Sequence, residues 1–202
     1  MKLRGLYAIT PDAADTEALA RKVEQALGAG IAALQYRNKL LAKEKRLAQA
    51  RQLAELAQGY GVPFIVNDDV EIAAAVGANG VHLGKDDAEV AAARQRLTGR
   101  LIGASCYDRI ELARAAVAAG ADYVAFGSVF ASPTKPAAVR APLTLFAEAR
   151  PLGVPLAAIG GITLENAPQL VAAGADLLAV ISDLFDAPDV GAQARRYASL
   201  FQ

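Results

Sequence analysis

Carboxylate side chains follow two short apolar segments, and they are the groups in this chain best suited to hold a metal ion. The segment FIVNDD ends in Asn67, Asp68 and Asp69, and the segment GVHLGKDD ends in Asp86 and Asp87. Mg²⁺ is commonly held by one or two carboxylates together with substrate phosphates. If the two segments are neighbouring strands, about 4.8 Å apart, one carboxylate from each can reach the same ion. Asp68 and one of Asp86 and Asp87 are therefore candidate metal ligands, whereas Asp69 is expected to cap the following helix.

Cationic and amide side chains at the end of another apolar segment are suited to a phosphorylated ligand. In AALQYRNK, the alternation of a strand places Gln35, Arg37 and Lys39 on the same side. Two cations and an amide pointing into one site would bind a phosphate or a pyrophosphate. An ordinary solvated loop would use the same residues, and for this segment in isolation the loop is the favoured interpretation.

Hydroxyl groups, a lysine and glycines follow the later apolar segments. Ser105 is placed to hydrogen-bond a ligand, and the proline-bounded SPTKP segment is predicted to cover an anion, although a plain surface turn has the same composition. Glycine after an apolar run lets backbone N–H groups approach a phosphate closely, and a tight turn is the alternative. The candidates in these segments are Ser105, Ser132, Thr134, Lys135, Gly160, Gly161 and Ser182.

Two residues with reactive side chains are expected to serve packing. His82 is the only histidine, and it lies inside a predicted strand, away from the predicted mouth of the site. Without a second histidine, a zinc site is not expected. Cys106 has no base beside it in the sequence, so it is interpreted as a small packing residue rather than a nucleophile.

Eight short apolar segments alternate with helical patterns and start about every 25 residues, the length of a βα unit. They span residues 5–10, 32–37, 63–68, 80–84, 101–105, 123–128, 155–160 and 177–182. This pattern predicts a single-domain (β/α)₈ TIM barrel over residues 1–202, in which all strand ends with candidate residues open on one face. A doubly wound open sheet is the main alternative, but no dinucleotide-binding glycine fingerprint follows the first segment.

The helical patterns predict which side chains face the barrel. Leu19 and Val23 belong to an apolar face of the first helix. In the second helix, Ala50 and Ala57 are expected to face the core, and Gln49 is expected to face solvent.

Composition limits the classes of partner and the compartment. Acidic and basic residues balance at 21 each, which argues against nucleic acid or an anionic membrane as a partner. The single cysteine rules out an internal disulfide and indicates a reducing, cytoplasmic location. The first apolar run ends at Pro11, too early for a signal peptide, and no segment is long and apolar enough to span a bilayer. The oligomeric state is not readable from the sequence.

Taken together, the segments resemble the thiamine-phosphate synthase family over nearly the whole chain. The family motifs occur in order as QYRNK, FIVNDD, GVHLGKDD, IGAS, SPTK, AIGGIT and AVIS, each at a different predicted strand end. The resemblance implies a (β/α)₈ barrel that joins 4-amino-2-methyl-5-pyrimidinylmethyl diphosphate to a thiazole phosphate. The products would be thiamine phosphate and pyrophosphate.

The resemblance also implies roles for individual residues. It selects Asp87 over Asp86 as the partner of Asp68 in binding Mg²⁺. Residues implied to line the pyrimidine diphosphate site are Gln35, Arg37, Lys39, Asn67, Ser105 and Lys135, with Arg37, Lys39, Ser105 and Lys135 as the catalytic group. Those implied to bind the thiazole phosphate are Ser132 and Thr134, with Gly161, Ile181 and Ser182 at its phosphate end.

Two departures from the family pattern bear on function. Many members have Arg where this chain has Asp69, and many have Ser-x-His where this chain has Ser105-Cys106-Tyr107. The missing histidine disfavours the activity of the related thiazole tautomerase branch. The alternatives are a tautomerase or another isomerase of a phosphorylated small molecule on the same barrel, and a non-catalytic module that binds thiazole or thiamine phosphate.

Overall fold

The computed structural model describes residues 3–84, 90–131 and 139–202, which form a closed barrel of parallel strands. Each strand pairs with the next along the chain, and the last pairs with the first in the register Tyr7 opposite Ala179. The predicted (β/α)₈ barrel is confirmed, and this closure excludes the open doubly wound sheet. The strands are β1 Gly5–Ile9, β2 Ala33–Tyr36, β3 Phe64–Asn67, β4 Gly80–Leu83, β5 Leu101–Tyr107, β6 Tyr123–Phe126, β7 Leu156–Ile159 and β8 Leu177–Val180.

Helices alternate with the strands and cover the outside of the barrel. They are α1 Thr16–Gly28, α2 Lys43–Gly59, α3 Val70–Ala75, α4 Val90–Arg96, α5 Ile110–Ala118, α6 Thr144–Ala149, α7 Ala167–Ala173, α8 Ser182–Phe185 and α9 Val190–Ala198. Two 3₁₀ turns follow α6 and α9, at Arg150–Leu152 and Ser199–Phe201. In the three described ranges, no helix is long and apolar enough to cross a membrane.

Strand alternation divides the core into two layers. Outward-facing side chains such as Leu34 and Phe126 pack against the helices, where burying each one contributes roughly 1.5–3 kcal/mol. Inward-facing side chains fill the barrel with a smaller cluster that includes Tyr7, Ile65 and Tyr123. Because most residues on both faces of the strands are buried, the strands are nearly continuous apolar runs in the sequence.

The first two helices follow the predicted faces except at one residue. Leu19 and Val23 are buried in α1, and the Asp15 side chain caps this helix by accepting a hydrogen bond from the Ala18 N–H at 3.0 Å. In α2, Gln49 is buried rather than exposed, so that expectation is wrong. Its Oε1 accepts a hydrogen bond from the Tyr36 hydroxyl at 3.0 Å, since α2 packs over the polar end of β2.

Candidate active site

The loop that follows β2 is tied to the end of β1, and this arrangement positions two predicted cations. Nη1 of Arg37 donates to Oδ2 of Asp12 at 3.0 Å, and the backbone N–H of Lys39 donates to Oδ1 of Asp12 at 2.7 Å. The Thr10 hydroxyl donates to the carbonyl of Arg37 and accepts from its N–H, each at 2.9 Å. One carboxylate therefore orients both Arg37 and Lys39 at the carboxyl ends of the strands.

Asp68 stands where β3 ends and has an unusual backbone conformation. Its φ of 65° lies in the left-handed region that a residue with a Cβ rarely adopts. The backbone N–H of Asp68 donates to the carbonyl of His82 at 2.9 Å, and Oδ2 lies 3.5 Å from Nζ of Lys39. The structure thus brings a predicted metal ligand, directly after β3, close to a predicted diphosphate-binding cation from the β2 loop.

Asn67 and Asp69 flank this carboxylate and have different surroundings. Oδ1 of Asp69 accepts from the Ile72 N–H at 2.9 Å, and Oδ2 accepts from Arg46 at 3.3 Å, so the prediction that Asp69 caps α3 is confirmed. Asn67 is half-buried and borders an open cleft of about 660 Å³, which Lys39 and Asp69 also line. This cleft reaches the site from the side of α2 and α3.

A chain of hydrogen bonds crosses the inside of the barrel and ends at two predicted site residues. Nε2 of Gln35 donates to the Tyr7 hydroxyl at 2.7 Å, and the hydroxyls of Tyr7 and Tyr123 are 2.7 Å apart. The Tyr123 hydroxyl lies 3.0 Å from Nδ1 of His82, whose Nε2 lies 2.9 Å from Oγ of Ser105. Gln35 on β2 and Ser105 on β5 are therefore connected through side chains of β1, β6 and β4.

Both reactive side chains that were expected to pack are buried, and His82 also contacts a predicted site residue. Cys106 is fully buried on the helix-facing side of β5, and burial raises the pKa of its thiol to about 12, as expected for a packing residue. His82 is buried and burial lowers the pKa of its ring to about 4, so it is neutral near pH 7. It lies inside β4 and is buried, as expected, and its Nε2 also lies 2.9 Å from Oγ of Ser105, a predicted site residue.

The ends of β7 and β8 carry the residues predicted to bind a phosphate end. Gly161 has a φ of 65°, and a Cβ at this position would lie 2.3 Å from the carbonyl oxygen of Ala131. Only glycine fits this approach between the loops after β6 and β7. Ile181 packs against the cluster inside the barrel, and Ser182 begins α8 directly after β8.

Several predicted residues lie outside the described ranges: Asp86, Asp87, Ser132, Thr134 and Lys135. The pairing of Asp68 with Asp87 around one ion consequently stays a prediction. Asp12, Tyr7 and Tyr123 also belong to this site, although the sequence pattern does not predict them. Asp12 lies three residues after the end of β1, and this position beside a strand end was the available signal. The alternation within β1 and β6 turns both tyrosines inward.

Comparison with known proteins assigns the family. The family model for thiamine monophosphate synthase matches residues 6–184, most of the chain. The chain belongs to the thiamine monophosphate synthase family. Thiamine-phosphate synthase from Aromatoleum aromaticum is 60% identical over 202 residues, covering 99% of this chain and 97% of the relative. The one from Azoarcus sp. is 58% identical and covers 99% and 98%. Synthases of this family are transferases, so the chain is an enzyme.

Solved structures agree with the assignment to the thiamine monophosphate synthase family. Thiamine phosphate pyrophosphorylase from Pyrococcus furiosus matches with a TM-score of 0.87 at 33% identity, covering 99% of this chain and 96% of its own. A 3-hexulose-6-phosphate synthase matches with a TM-score of 0.71 at 18% identity and covers 100% of both chains. Identity this low shows the shared barrel alone, since fold does not fix function.

Proposed function

We propose that the protein condenses 4-amino-2-methyl-5-pyrimidinylmethyl diphosphate with a thiazole phosphate, giving thiamine phosphate and pyrophosphate. The observation that carries this proposal is the grouping of Arg37, Lys39 and Asp68 at the ends of β2 and β3, in a chain of the thiamine monophosphate synthase family. Two cations beside a carboxylate suit a metal-bound diphosphate.

The diphosphate of the pyrimidine substrate would bind at the β2 loop. Arg37 is pre-oriented by Asp12, and Lys39 is held near Asp68, so both cations meet the diphosphate with little rearrangement. Gln35, Asn67 and Ser105 would contact the pyrimidine diphosphate from β2, β3 and β5. Lys135, Ser132 and Thr134 would complete the site from the loop after β6, with Gly161, Ile181 and Ser182 at the thiazole phosphate.

The donor chemistry at Asp68 fits Mg²⁺. A hard cation takes oxygen ligands, and one or two carboxylates with substrate phosphates are a usual set. In residues 3–84, 90–131 and 139–202, no group of three or more His, Cys, Asp or Glu side chains could hold a metal. The resemblance to the family selects Asp68 and Asp87 as the protein ligands, and the substrate phosphates would supply others. The ion would neutralise charge on the leaving pyrophosphate.

The reaction breaks one bond and forms one. The C–O bond to the exocyclic methylene breaks, and pyrophosphate leaves with the electron pair, while the aminopyrimidine stabilises the positive charge left on carbon. The thiazole nitrogen then donates its lone pair to that carbon. This nitrogen has no proton to lose, so the step needs no strong general base, which agrees with a buried histidine whose lowered pKa, about 4, makes it a weak base. Arg37, Lys39 and Lys135 would bind the charge that develops on pyrophosphate.

The test is to incubate the purified protein with both substrates, with and without Mg²⁺, and to identify the products by mass. The proposal predicts thiamine phosphate and pyrophosphate in equal amounts, with Mg²⁺ required for rapid turnover. An isomerase would change the thiazole phosphate when it is the only substrate present. A binding module would retain its ligand without forming product, and either result would refute the synthase proposal.

The variant Asp68→Ala tests the metal role. It is expected to lower turnover about 100-fold or more and to weaken the dependence on Mg²⁺, because an electrostatic contact to the leaving group is lost. Glu55→Ala removes an exposed acid from the middle of α2 and serves as the control. Turnover of Asp68→Ala equal to that of the control at limiting Mg²⁺ would contradict this role.

A further inference from the structure

Five polar side chains form a continuous hydrogen-bonded chain inside a barrel that is otherwise filled with apolar groups. Its members, in order, are Gln35, Tyr7, Tyr123, His82 and Ser105, and neighbouring polar atoms are 2.7–3.0 Å apart. All except Ser105 are at least 94% buried, and Ser105 is half-buried at the end facing the site. An unsatisfied polar group at this depth costs about 1–3 kcal/mol, so each member depends on its neighbours.

The packing around Tyr123 holds its ring in the position that these hydrogen bonds require. A Cβ at Gly103 would lie 2.0 Å from Cζ of Tyr123, so the aromatic ring occupies space that only a glycine on β5 leaves open. The rings of His82 and Tyr123 lie with centroids 5.5 Å apart, and the ring of Tyr7 meets that of Tyr123 edge-on at 5.9 Å. These contacts fix the two hydroxyls and the imidazole in one geometry.

Counting hydrogens gives the chain one direction. The Gln35 amide nitrogen donates to Tyr7, so the Tyr7 hydrogen is available to Tyr123, and the Tyr123 hydrogen to Nδ1 of His82. A neutral imidazole with an accepting Nδ1 carries its hydrogen on Nε2, which then donates to Ser105. If the hydrogen bonds ran in the opposite direction, Tyr123 would donate to Tyr7. The Tyr7 hydroxyl hydrogen would then have no acceptor among these five side chains, because the Gln35 nitrogen that faces it is a donor. Ser105 accepts a hydrogen bond from His82, so its own hydroxyl hydrogen can be donated to a ligand at the barrel mouth.

We propose that His82 is a positioning residue that holds Ser105 as a hydrogen-bond donor toward the pyrimidine diphosphate and couples it, through Tyr123 and Tyr7, to Gln35. The inference rests on the proposed function, since it assigns the substrate that Ser105 meets. Each ring nitrogen of His82 faces one partner, Nδ1 the Tyr123 hydroxyl and Nε2 the Ser105 hydroxyl, so the ring orientation is set from both sides. The histidine touches no reacting atom in this scheme and acts through Ser105.

Three substitutions at one position separate the hydrogen bond from the packing. His82→Gln keeps a donor near the position of Nε2, because the glutamine side chain is long enough to reach Ser105. His82→Asn ends near the position of Nδ1 and keeps only the Tyr123 partner. His82→Leu removes both. Cys106→Ala is the matched control, since this core side chain of β5 neighbours Ser105 in sequence but faces the helices.

We expect His82→Leu and His82→Asn to raise the KM for the pyrimidine diphosphate about 10-fold or more, with the KM for the thiazole phosphate nearly unchanged. His82→Gln should recover the KM to within about threefold of the wild type, and Cys106→Ala should keep both KM values while losing stability. Equal constants for His82→Leu and Cys106→Ala, or no recovery in His82→Gln, would overturn the proposal.

A second measurement does not depend on activity. His82 is the only histidine among the 202 residues, so an imidazole ¹⁵N spectrum at pH 7 reports on it without assignment. The hydrogen-bond direction predicts the neutral tautomer with its hydrogen on Nε2, and a hydrogen on Nδ1 would overturn it. If the wild type makes no thiamine phosphate, the proposed function fails, whereas the spectrum still decides whether His82 donates to Ser105.

Discussion

Arg37 and Lys39 show how individual residues are prepared for a diphosphate. Both depend on Asp12, which accepts a side-chain hydrogen bond from Arg37 and a backbone hydrogen bond from Lys39. Such partly exposed ion pairs contribute about 0–1 kcal/mol to folding. The value of Asp12 is therefore expected in binding, where it sets the direction of the Arg37 guanidinium.

Substitution of Asp12 tests that role. Asp12→Ala is expected to raise the KM for the pyrimidine diphosphate about tenfold, because Arg37 and the Lys39 backbone lose their common partner. Asp12→Asn keeps an oxygen acceptor and should fall between this variant and the wild type. Steady-state kinetics and urea unfolding would be measured together. A wild-type KM for Asp12→Ala would contradict the orienting role.

Prediction from sequence succeeds at the residue scale where one residue's neighbours along the chain decide its role. The cap at Asp69 and the packing role of Cys106 are local consequences of helix start and strand alternation. The partners of His82 come from β5 and β6, more than 20 residues away, so no local pattern indicates them. Gln49 was placed wrongly for the same reason, since its partner Tyr36 belongs to another element.

At the scale of elements, the start of α3 separates the neighbouring acids Asp68 and Asp69. Asp69→Ala is expected to lower the free energy of unfolding by about 1 kcal/mol, because the cap to Ile72 and the partner of Arg46 are lost. Asp69→Asn can still cap α3, so its free energy of unfolding should fall by less than that of Asp69→Ala. Urea unfolding and turnover would be compared, and turnover is expected to stay within about twofold of the wild type. A loss of turnover as deep as that of Asp68→Ala would make Asp69 a metal ligand.

The loops after β6 and β7 meet at Gly161, and a second glycine provides a matched control. Gly161 and Gly153 have similar φ angles of 65° and 72°, but a Cβ at Gly153 would meet nothing within 4 Å. Gly153→Ala is expected to cost about 1–2 kcal/mol of stability, the penalty for a left-handed alanine. Gly161→Ala should cost more and raise the KM for the thiazole phosphate, because the Ala131 carbonyl must move. Equal losses in both variants would contradict this close approach.

The positions of the strands were predictable because every βα unit of a parallel barrel has the same order of sequence patterns. Each strand is an apolar run that follows a helix, and all eight structural strands overlap the predicted segments. Their exact ends were not predictable: β5 continues to Tyr107, where its pairing with β6 shifts register. The adjacency of β3 and β4 followed directly from the barrel topology.

At the scale of the whole molecule, one buried histidine gives the fold a pH dependence. The pKa of His82 falls from an ordinary value of 6.5 to about 4 because burial disfavours the charged ring. Unfolded chains therefore bind a proton between pH 6.5 and 4 that the native protein does not, and stability falls as the pH is lowered through this window.

The expected loss from this group between pH 7 and pH 5 is roughly 2 kcal/mol of unfolding free energy. It would be measured by urea unfolding at several pH values, with His82→Gln as the control that cannot titrate. The wild type should lose stability more steeply than the variant, whose remaining slope comes from carboxyl groups. If the unfolding free energies of the wild type and His82→Gln fell in parallel with pH, His82 would have the same pKa in the folded and unfolded states. That result would contradict its desolvation in the barrel.

The family and the barrel are established, whereas the shared ion at Asp68 and Asp87 is the physical basis of the proposed chemistry. A crystal structure with pyrophosphate and Mn²⁺, which also prefers oxygen ligands and is identified by its anomalous signal, tests it most directly. We predict one ion bound by both carboxylates and by the pyrophosphate, with Arg37 and Lys39 in contact with the same anion. An ion bound elsewhere, or two carboxyl groups too far apart to share it, would contradict the proposal.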